Sequence, residues 1–419
     1  MRDIPTEGRL DSSLALLHEG YPFIATRCAR LHSDVFQARL LLQNTMCLHG
    51  EAAARLFYDE SLFQRAGAAP AALLGTLLGK GGVQGLDGEA HRARKRLFVE
   101  VLDEAGVAAL VSQAEARWRE ALRHWCRRDS LVLLDEVHRL LTLAVCDWAG
   151  VRLAPDEVGL RCAQLVAMIE GGGSVGWRHL EARQARRDAE DWAMGWVRTA
   201  RRGTAGVAGR PLAAVAAHRD LDGHLLDERT AAVELLNLLR PTVAVARFIV
   251  FAALELHRHP AWRERLREAP GACEAFAQEV RRLYAFFPFM AARVRRDFTW
   301  RGCRFRRGTR VLLDLYGSNR DARRWPAPAC FRPERFAEEG DDALALLTQG
   351  GGDARTQHRC PGEGLAVALT TLGVRLLTGE MTYEVPPQDL TVDRSSMPMR
   401  PQSGLVLRQV RPLGGAAAG

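Results

Sequence analysis

The segment from Glu228 to Pro260, "ERTAAVELLNLLRPTVAVARFIVFAALELHRHP", constrains the fold more than any other stretch of the chain. Its apolar residues recur with helical spacing, and its centre is apolar on every side. It reads as one helix of about thirty residues, ended by Pro260 and crossing the middle of the fold. At its centre stand Arg240 and Pro241. A charge in an apolar run costs several kcal/mol unless it is paired. A mid-helix proline removes a backbone hydrogen bond and costs roughly 3 kcal/mol more. Two adjacent penalties imply that something is gained there.

The surrounding chain supplies further helices. "LVSQAEARWREALRHWCRR" (Leu110–Arg128) carries apolar residues at i, i+3, i+4 and i+7, the spacing of an amphipathic helix. "SLVLLDEVHRLLTLAVCDWAG" and "ARRDAEDWAMGWVRTARR" read the same way, and Gly50–Asp59 starts a short helix. Leu10 to Met46 alternates helical and extended patterns. After Phe289 the texture changes: "DFTWRGCRFRRGTRVLLDLYG" is β-branched and turn-punctuated, the mark of a small sheet. A Pro- and Gly-rich loop (Trp325–Arg359), a helix (Glu363–Leu377) and a closing β segment follow. The fold class is mainly α with small β-sheets. Residues 1–411 are expected to form a single domain and 412–419 a disordered tail.

Composition excludes some functions. The net charge of +8 comes from 58 basic and 50 acidic residues, and only Lys80 and Lys95 are lysines. The arginines are spread among acids along amphipathic helices, without the clustered module that nucleic-acid binding needs. No apolar run is expected to supply the roughly 20 residues of a bilayer span. The polar start "MRDIPTEGRL" lacks a signal-peptide pattern, so a cytoplasmic protein is expected. The nine cysteines are scattered, with no C-x-x-C pair. Reduced thiols are the expectation, with Cys28, Cys146 and Cys162 as small core residues.

Cys360 differs. "GGGDARTQHRCPGEGLAVALTTLGVRLL" sets it after a glycine-rich loop and just ahead of a helix. Backbone amides and the helix N-terminus there are expected to lower the thiol pKa toward thiolate. Upstream, "EVRR" places Glu279 and Arg282 one helical turn apart, and "FRPERF" supplies Arg335. The order E-x-x-R, P-E-R-F, then a cysteine loop about 25 residues later resembles the cytochrome P-450 superfamily.

That resemblance implies haem b between the long central helix and the cysteine loop. Cys360 would be the iron's thiolate ligand, and Glu279, Arg282 and Arg335 a structural ion network. The loop departs from the usual pattern. Asp353 stands seven residues before the cysteine, where an aromatic is usual, and His358 stands two before it. On the central helix, Thr242 has no acid beside it, so the superfamily's ordinary acid–alcohol proton relay is missing.

Arg240-Pro241-x-x-Ala244 resembles the bacterial fatty-acid peroxygenases, the branch of α- and β-hydroxylases and an alkene-forming decarboxylase. The likeness includes "LLHEGYPFI", "LFYDESLFQRAG", "LLGKGGVQGLDGEAHRARKRLF", "FFPFMAARV", "YGSNRD" and "HRCPGE". It implies a long-chain fatty acid as substrate, hydrogen peroxide as co-substrate and no obligatory reductase. Arg240 would hold the carboxylate bidentately, and the carboxylate would stand in for the missing acid. Pro241 would shape the space above the haem, and Ala244 would leave room for substrate. Gln84 stands where the alkene-forming member has histidine. A neutral amide is the poorer proton donor, which favours hydroxylation over decarboxylation. Leu78, six residues earlier, replaces the branch's usual aromatic. The resemblance also points to Arg65, His91, Lys95, Arg293 and His358 as partners of the haem propionates, and to Phe287 and Phe289 as lining of the acyl channel. Two alternatives remain open: a redox-partner-dependent monooxygenase acting on another lipid, and a non-catalytic haem-binding carrier or sensor.

Overall fold

A computed structural model describes residues 4–203, 209–338 and 346–413. The central run is helical from Glu228 to Arg258, in two segments, Glu228–Ala244 and Ala246–Arg258. The expected single helix is interrupted at Val245. There the amide donates to the carbonyl of Thr242 at 3.1 Å, one residue short of the α-helical partner, so the backbone tightens four residues after the proline. By length and composition this run could span a bilayer, contrary to the expectation from sequence. Burial inside the protein accounts for its apolarity: 94% of its most apolar window is covered.

The helices Leu133–Ala149, Val158–Glu170 and Trp177–Arg201 pack on its first half, and Cys273–Leu283 and Glu363–Gly379 on its second. The largest apolar cluster joins these elements, including Val137, Leu141, Leu235, Leu239, Phe251 and Leu369. The periodic segments fold as their spacing dictates. Leu110–Trp125 lies within the helix Glu104–Trp125, whose Asp103 caps the first turn by accepting from the Gly106 amide at 2.8 Å.

A five-stranded sheet lies to one side, in the order Val35–Leu40, Gln43–Leu48, Arg310–Asp314, Phe289–Val294, Phe63–Gln64. Only the Gln43–Leu48 and Arg310–Asp314 pair is parallel. The expected small sheet after Phe289 therefore splits. Phe298–Trp300 and Cys303–Phe305 form a separate hairpin, while Arg310–Asp314 joins strands from the N-terminal region. The closing strand, Val406–Pro412, pairs with Met381–Glu384, and the Leu413 amide donates to the Glu380 carbonyl at 2.8 Å. Ordered structure thus passes the expected boundary at 411. The rest of the tail, 414–419, lies outside the described residues.

Candidate functional site

Two elements face each other across the candidate site: the centre of the long helix and the cysteine loop. Every residue from Ala231 to Leu256 is buried except Pro241, which is exposed. The protein therefore leaves room against its most buried helix at Pro241. Thr242, next to it, donates its hydroxyl to the Leu238 carbonyl at 2.9 Å, so the helix itself absorbs the only alcohol there.

Arg240 is 5% exposed. Its Nη2 donates to Asn237 Oδ1 at 3.4 Å, and its Nη1 has no partner. Neighbouring buried arginines are matched by carboxylates. Arg94 donates to Glu234 at 2.7 Å, Arg186 to Glu190 at 2.6 Å, and Arg247 to Glu170 at 3.2 Å. No carboxylate among the described residues lies within ion-pair reach of Arg240. Burial, then the charge of Arg186, pushes its pKa down to about 9, while an ionised Cys360 would favour its charge. A buried guanidinium left this way needs an anion.

A polar chain leads to it. The Asn237 amide donates to Glu234 at 2.9 Å and, more weakly, to Gln84 Oε1 at 3.4 Å. Gln84 thus sits beside the arginine through Asn237. Glu234 and Asn237 were missed in the sequence, although their spacing before Arg240, three residues each time, carried the signal. Leu78 is half-buried at the end of a π-helical turn, Leu74–Leu78, and Ala244 is buried at the end of the first helical segment.

The cysteine loop is held from below. Its amide donates back to the Gln349 carbonyl at 3.1 Å, and the Gln349 side-chain amide lies 3.8 Å from Cys360 Sγ. Gly350 and Gly352 have φ of 95° and 84°, and a Cβ on Gly352 would meet Gln357 Oε1 at 2.2 Å. Glycine is required there. Asp353 replaces the usual aromatic with a turn of its own, its carboxylate accepting from the amides of Arg355 (2.9 Å) and Thr356 (2.7 Å). Burial raises the Cys360 thiol, outweighing the nearby Gly362 amide, which acts in the opposite direction. The expected lowering by the helix N-terminus is thus not seen. The residue itself is only partly buried, and a cation upon the sulfur would favour the thiolate.

The structure brings Glu279, Arg282 and Arg335 together in full burial. Arg282 grips Glu279 through two bonds, at 2.7 and 2.9 Å, and Arg335 reaches the same carboxylate at 3.2 Å. Both arginines also donate to carbonyls of the segment 326–330. Beside it lies a second network absent from the sequence reading, in which Arg281 bonds Thr348, Gln349 and Glu363.

Four of the five expected propionate partners cluster. His91 and His358 stack with ring centroids 3.9 Å apart, and Lys95 donates to the carbonyls of Gln357 and Arg359. Arg65 lies 4.2 Å over the Phe57 ring, with its Nε unpartnered. Burial depresses His91 to about 3, His358 to about 4 and Lys95 to about 8. Asp87, 3.5 Å from His358, is the nearest carboxylate in ion-pair contact with them. Arg293 is not with them. Its guanidinium donates to the carbonyls of Gly67 (2.6 Å) and Gly308 (2.9 Å) in surface turns. Phe287 packs edge-on to Phe286, which meets Phe248 of the central helix. Phe289 instead packs with the cluster of Phe23, Ile24 and Leu40. The alternation of its strand turns it away from Met290, and a place in the sheet's other core replaces the expected channel role.

These residues fit a haem. Room is left against the central helix at Pro241, Cys360 is near enough for its charge to act on Arg240, and buried bases with an orphaned arginine stand ready for two carboxylates. Such a group would be held by Cys360, with Arg65, His91, Lys95 and His358 around its acidic edge.

The comparisons agree. A family profile described as Cytochrome P450 matches residues 272–407. Psoralen synthase of Ammi majus is 31% identical over 145 residues, 33% of this chain and 28% of that protein. The chain thus aligns with little more than a quarter of that relative's length. Solved structures match far more. Cytochrome P450SP alpha (CYP152B1) superposes with a TM-score of 0.94 at 46% identity, covering 96% of this chain and 100% of that one. Cytochrome P450EX alpha (CYP152N1), solved with myristic acid, gives 0.95 at 40% identity, covering 99% and 100%. Cytochrome P450 OleT gives 0.96 at 31% identity, again covering 99% and 100%.

Proposed function

The chain belongs to the cytochrome P450 superfamily and to its CYP152 family, and on that premise we propose that it is a fatty-acid peroxygenase. It oxidises long-chain fatty acids at the α or β carbon with hydrogen peroxide. Hydroxylation is favoured and decarboxylation to a terminal alkene is a side reaction. One observation carries this reading: the unpaired, buried guanidinium of Arg240 beside the candidate haem site. Two relatives were solved with carboxylic acids, myristic acid in one and (R)-ibuprofen in the other.

When bound, haem supplies the iron at which the peroxide O–O bond breaks, aided by electron density from a thiolate ligand. The chain's own residues do the rest. Arg240 takes the fatty-acid carboxylate bidentately, and Asn237 holds the guanidinium from behind. The anchored carboxylate accepts a proton from the peroxide and returns it to the oxygen that leaves as water. The other oxygen enters a C–H bond of the acid. The carboxylate is fixed at Arg240, so the first two carbons of the chain lie nearest the reacting centre. Among the described residues no acid takes this role: Glu234 is bonded to Arg94 and Asn237, and the Thr242 hydroxyl to its own helix. The apolar walls keep water out and strengthen the ion pair.

We assign haem b and hydrogen peroxide as cofactor and co-substrate, with no obligatory reductase. A cytoplasmic location is supported by scattered cysteines with no C-x-x-C pair. The test is turnover of a series of saturated acids, with peroxide or with a reductase system, read by mass spectrometry. Hydroxy acids formed with peroxide alone are expected. Products only with the reductase would favour a conventional monooxygenase. Ligand binding without product in either case would favour a carrier.

A further inference from the structure

Arg186, on the helix Trp177–Arg201, is 2% exposed and shares no hydrogen bond with Arg240. Its guanidinium is directed at two acceptors. Nε donates to Glu190 at 2.6 Å, Nη1 donates to the Leu77 carbonyl at 3.1 Å, and Nη2 has no acceptor. That third nitrogen lies against Gly79, where a Cβ would approach it to 2.1 Å and Val233 to 2.7 Å. Gly79 has φ of +83°, which favours glycine for a second reason.

Leu77 and Gly79 bracket Leu78. The turn that carries them, Leu74–Leu78, is π-helical and closed by the Gly79 amide donating to the Leu74 carbonyl at 3.0 Å. A π turn holds one residue more than an α turn, so it rotates the residue that follows by roughly 100°. Such turns are rare and need outside support. The support here is tertiary. Leu77 is pressed against Gly172, whose Cβ would lie 3.2 Å from Leu77 Cδ2, and its carbonyl is capped by Arg186. Beyond Gly79 the chain runs along the face of the central helix. A Cβ on Gly81 would meet Thr230, and one on Gly82 would meet Val233 and Asn237. The turn is thus fixed just before the segment that reaches Gln84 and the carboxylate pocket.

We propose that Arg186 is a specificity-determining positioning residue. By capping the Leu77 carbonyl and filling the space beside Gly79, it fixes the π turn that aims Leu78 at the head of the substrate. It thereby sets which of the first two carbons is oxidised. Removing the guanidinium takes the donor from a buried carbonyl, leaves Glu190 only its 3.8 Å contact to Arg229, and frees the turn to relax toward α geometry. The proposal rests on the fatty-acid reading of the site, with the carboxylate held at Arg240.

The test uses the haem-loaded enzyme and three variants: Arg186→Lys, Arg186→Met and Glu190→Gln. Haem incorporation is read from the ferrous carbonyl spectrum. Acid binding is read from the spin-state shift on titration with myristic acid. The α-to-β product ratio is measured with peroxide. Both Arg186 variants are expected to change the ratio by about threefold or more, with binding altered by less than that. Glu190→Gln keeps the guanidinium but loosens it, and should fall between them and the wild type. A haem-loaded variant at position 186 with the wild-type ratio overturns the proposal, even if its overall rate falls. If Arg186→Met does not fold, the lysine and Glu190→Gln variants decide by the same ratio. Wild-type enzyme that forms no hydroxy acid with peroxide refutes the fatty-acid reading instead, a result distinct from an unchanged ratio.

Discussion

Replacing Arg240 by methionine should weaken the enzyme's hold on its substrate while making the substrate-free protein more stable. The guanidinium is buried, has no carboxylate partner, and has a pKa held down at about 9 chiefly by loss of solvation. At about 1.4 kcal/mol per pKa unit, that depression is a folding penalty on the order of 5 kcal/mol. Methionine keeps most of the volume and removes the charge. The loss of the 3.4 Å contact to Asn237 gives back about 1 kcal/mol. The net gain of a few kcal/mol should raise the melting temperature of the substrate-free holoenzyme by several degrees. The sign also fixes a pH dependence. Below about pH 9 the guanidinium is charged in both folded and unfolded chains, so the whole penalty is present. Above it, the folded protein sheds the proton first, the penalty falls, and the gap between variant and wild type should narrow. Binding moves the other way. Two charge-assisted hydrogen bonds to a carboxylate contribute together about 3–5 kcal/mol, so affinity for a fatty acid should fall by about 10²- to 10⁴-fold. The assays are thermal denaturation at pH 7 and 10 and spectral titration with myristic acid. A variant that melts below the wild type and binds with undiminished affinity would refute the anchoring argument.

Two further outcomes follow from the loop and its scaffold. Cys360→Ser should retain the fold but lose the thiolate-type spectrum of the ferrous carbonyl complex, and persistence of that spectrum would reassign the ligand. Glu279→Gln removes the charge that neutralises both Arg282 and Arg335 at full burial. It should cost about 3–5 kcal/mol and greatly reduce haem incorporation, measured as the haem-to-protein ratio of purified enzyme.

How much of this was legible in the sequence depends on how far each residue's role is set by its chain neighbours. Glu279 and Arg282 share a helical turn, and Cys360 precedes a helix behind glycines, so spacing raised them and the order of the motifs, with the resemblance it carries, marked them. Arg240 declared itself by breaking an apolar pattern. Asn237 and Glu234 share the helical spacing of Arg240, but their role rests on contacts to Gln84 and Arg94, 153 and 140 residues away in the chain. Phe289 and Arg293 lie four residues apart on one strand, so their side chains leave the same face, and only the pairing with Arg310–Asp314 decides what that face meets.

The sequence by itself determined the helical architecture, the central helix with its paired irregularities, the cysteine loop and the ion network beneath it. Those depend on periodicity, on contacts within a few residues and, for Arg335 in the ion network, on motif order along the chain. The tertiary structure alone decided which arginines were neutralised. Arg94 finds Glu234 from 140 residues away, and Arg247 meets Glu170 across 77, while Arg240 finds no carboxylate among the described residues. A charge is costly or useful according to what long-range packing sets beside it, and the chain's order does not record that.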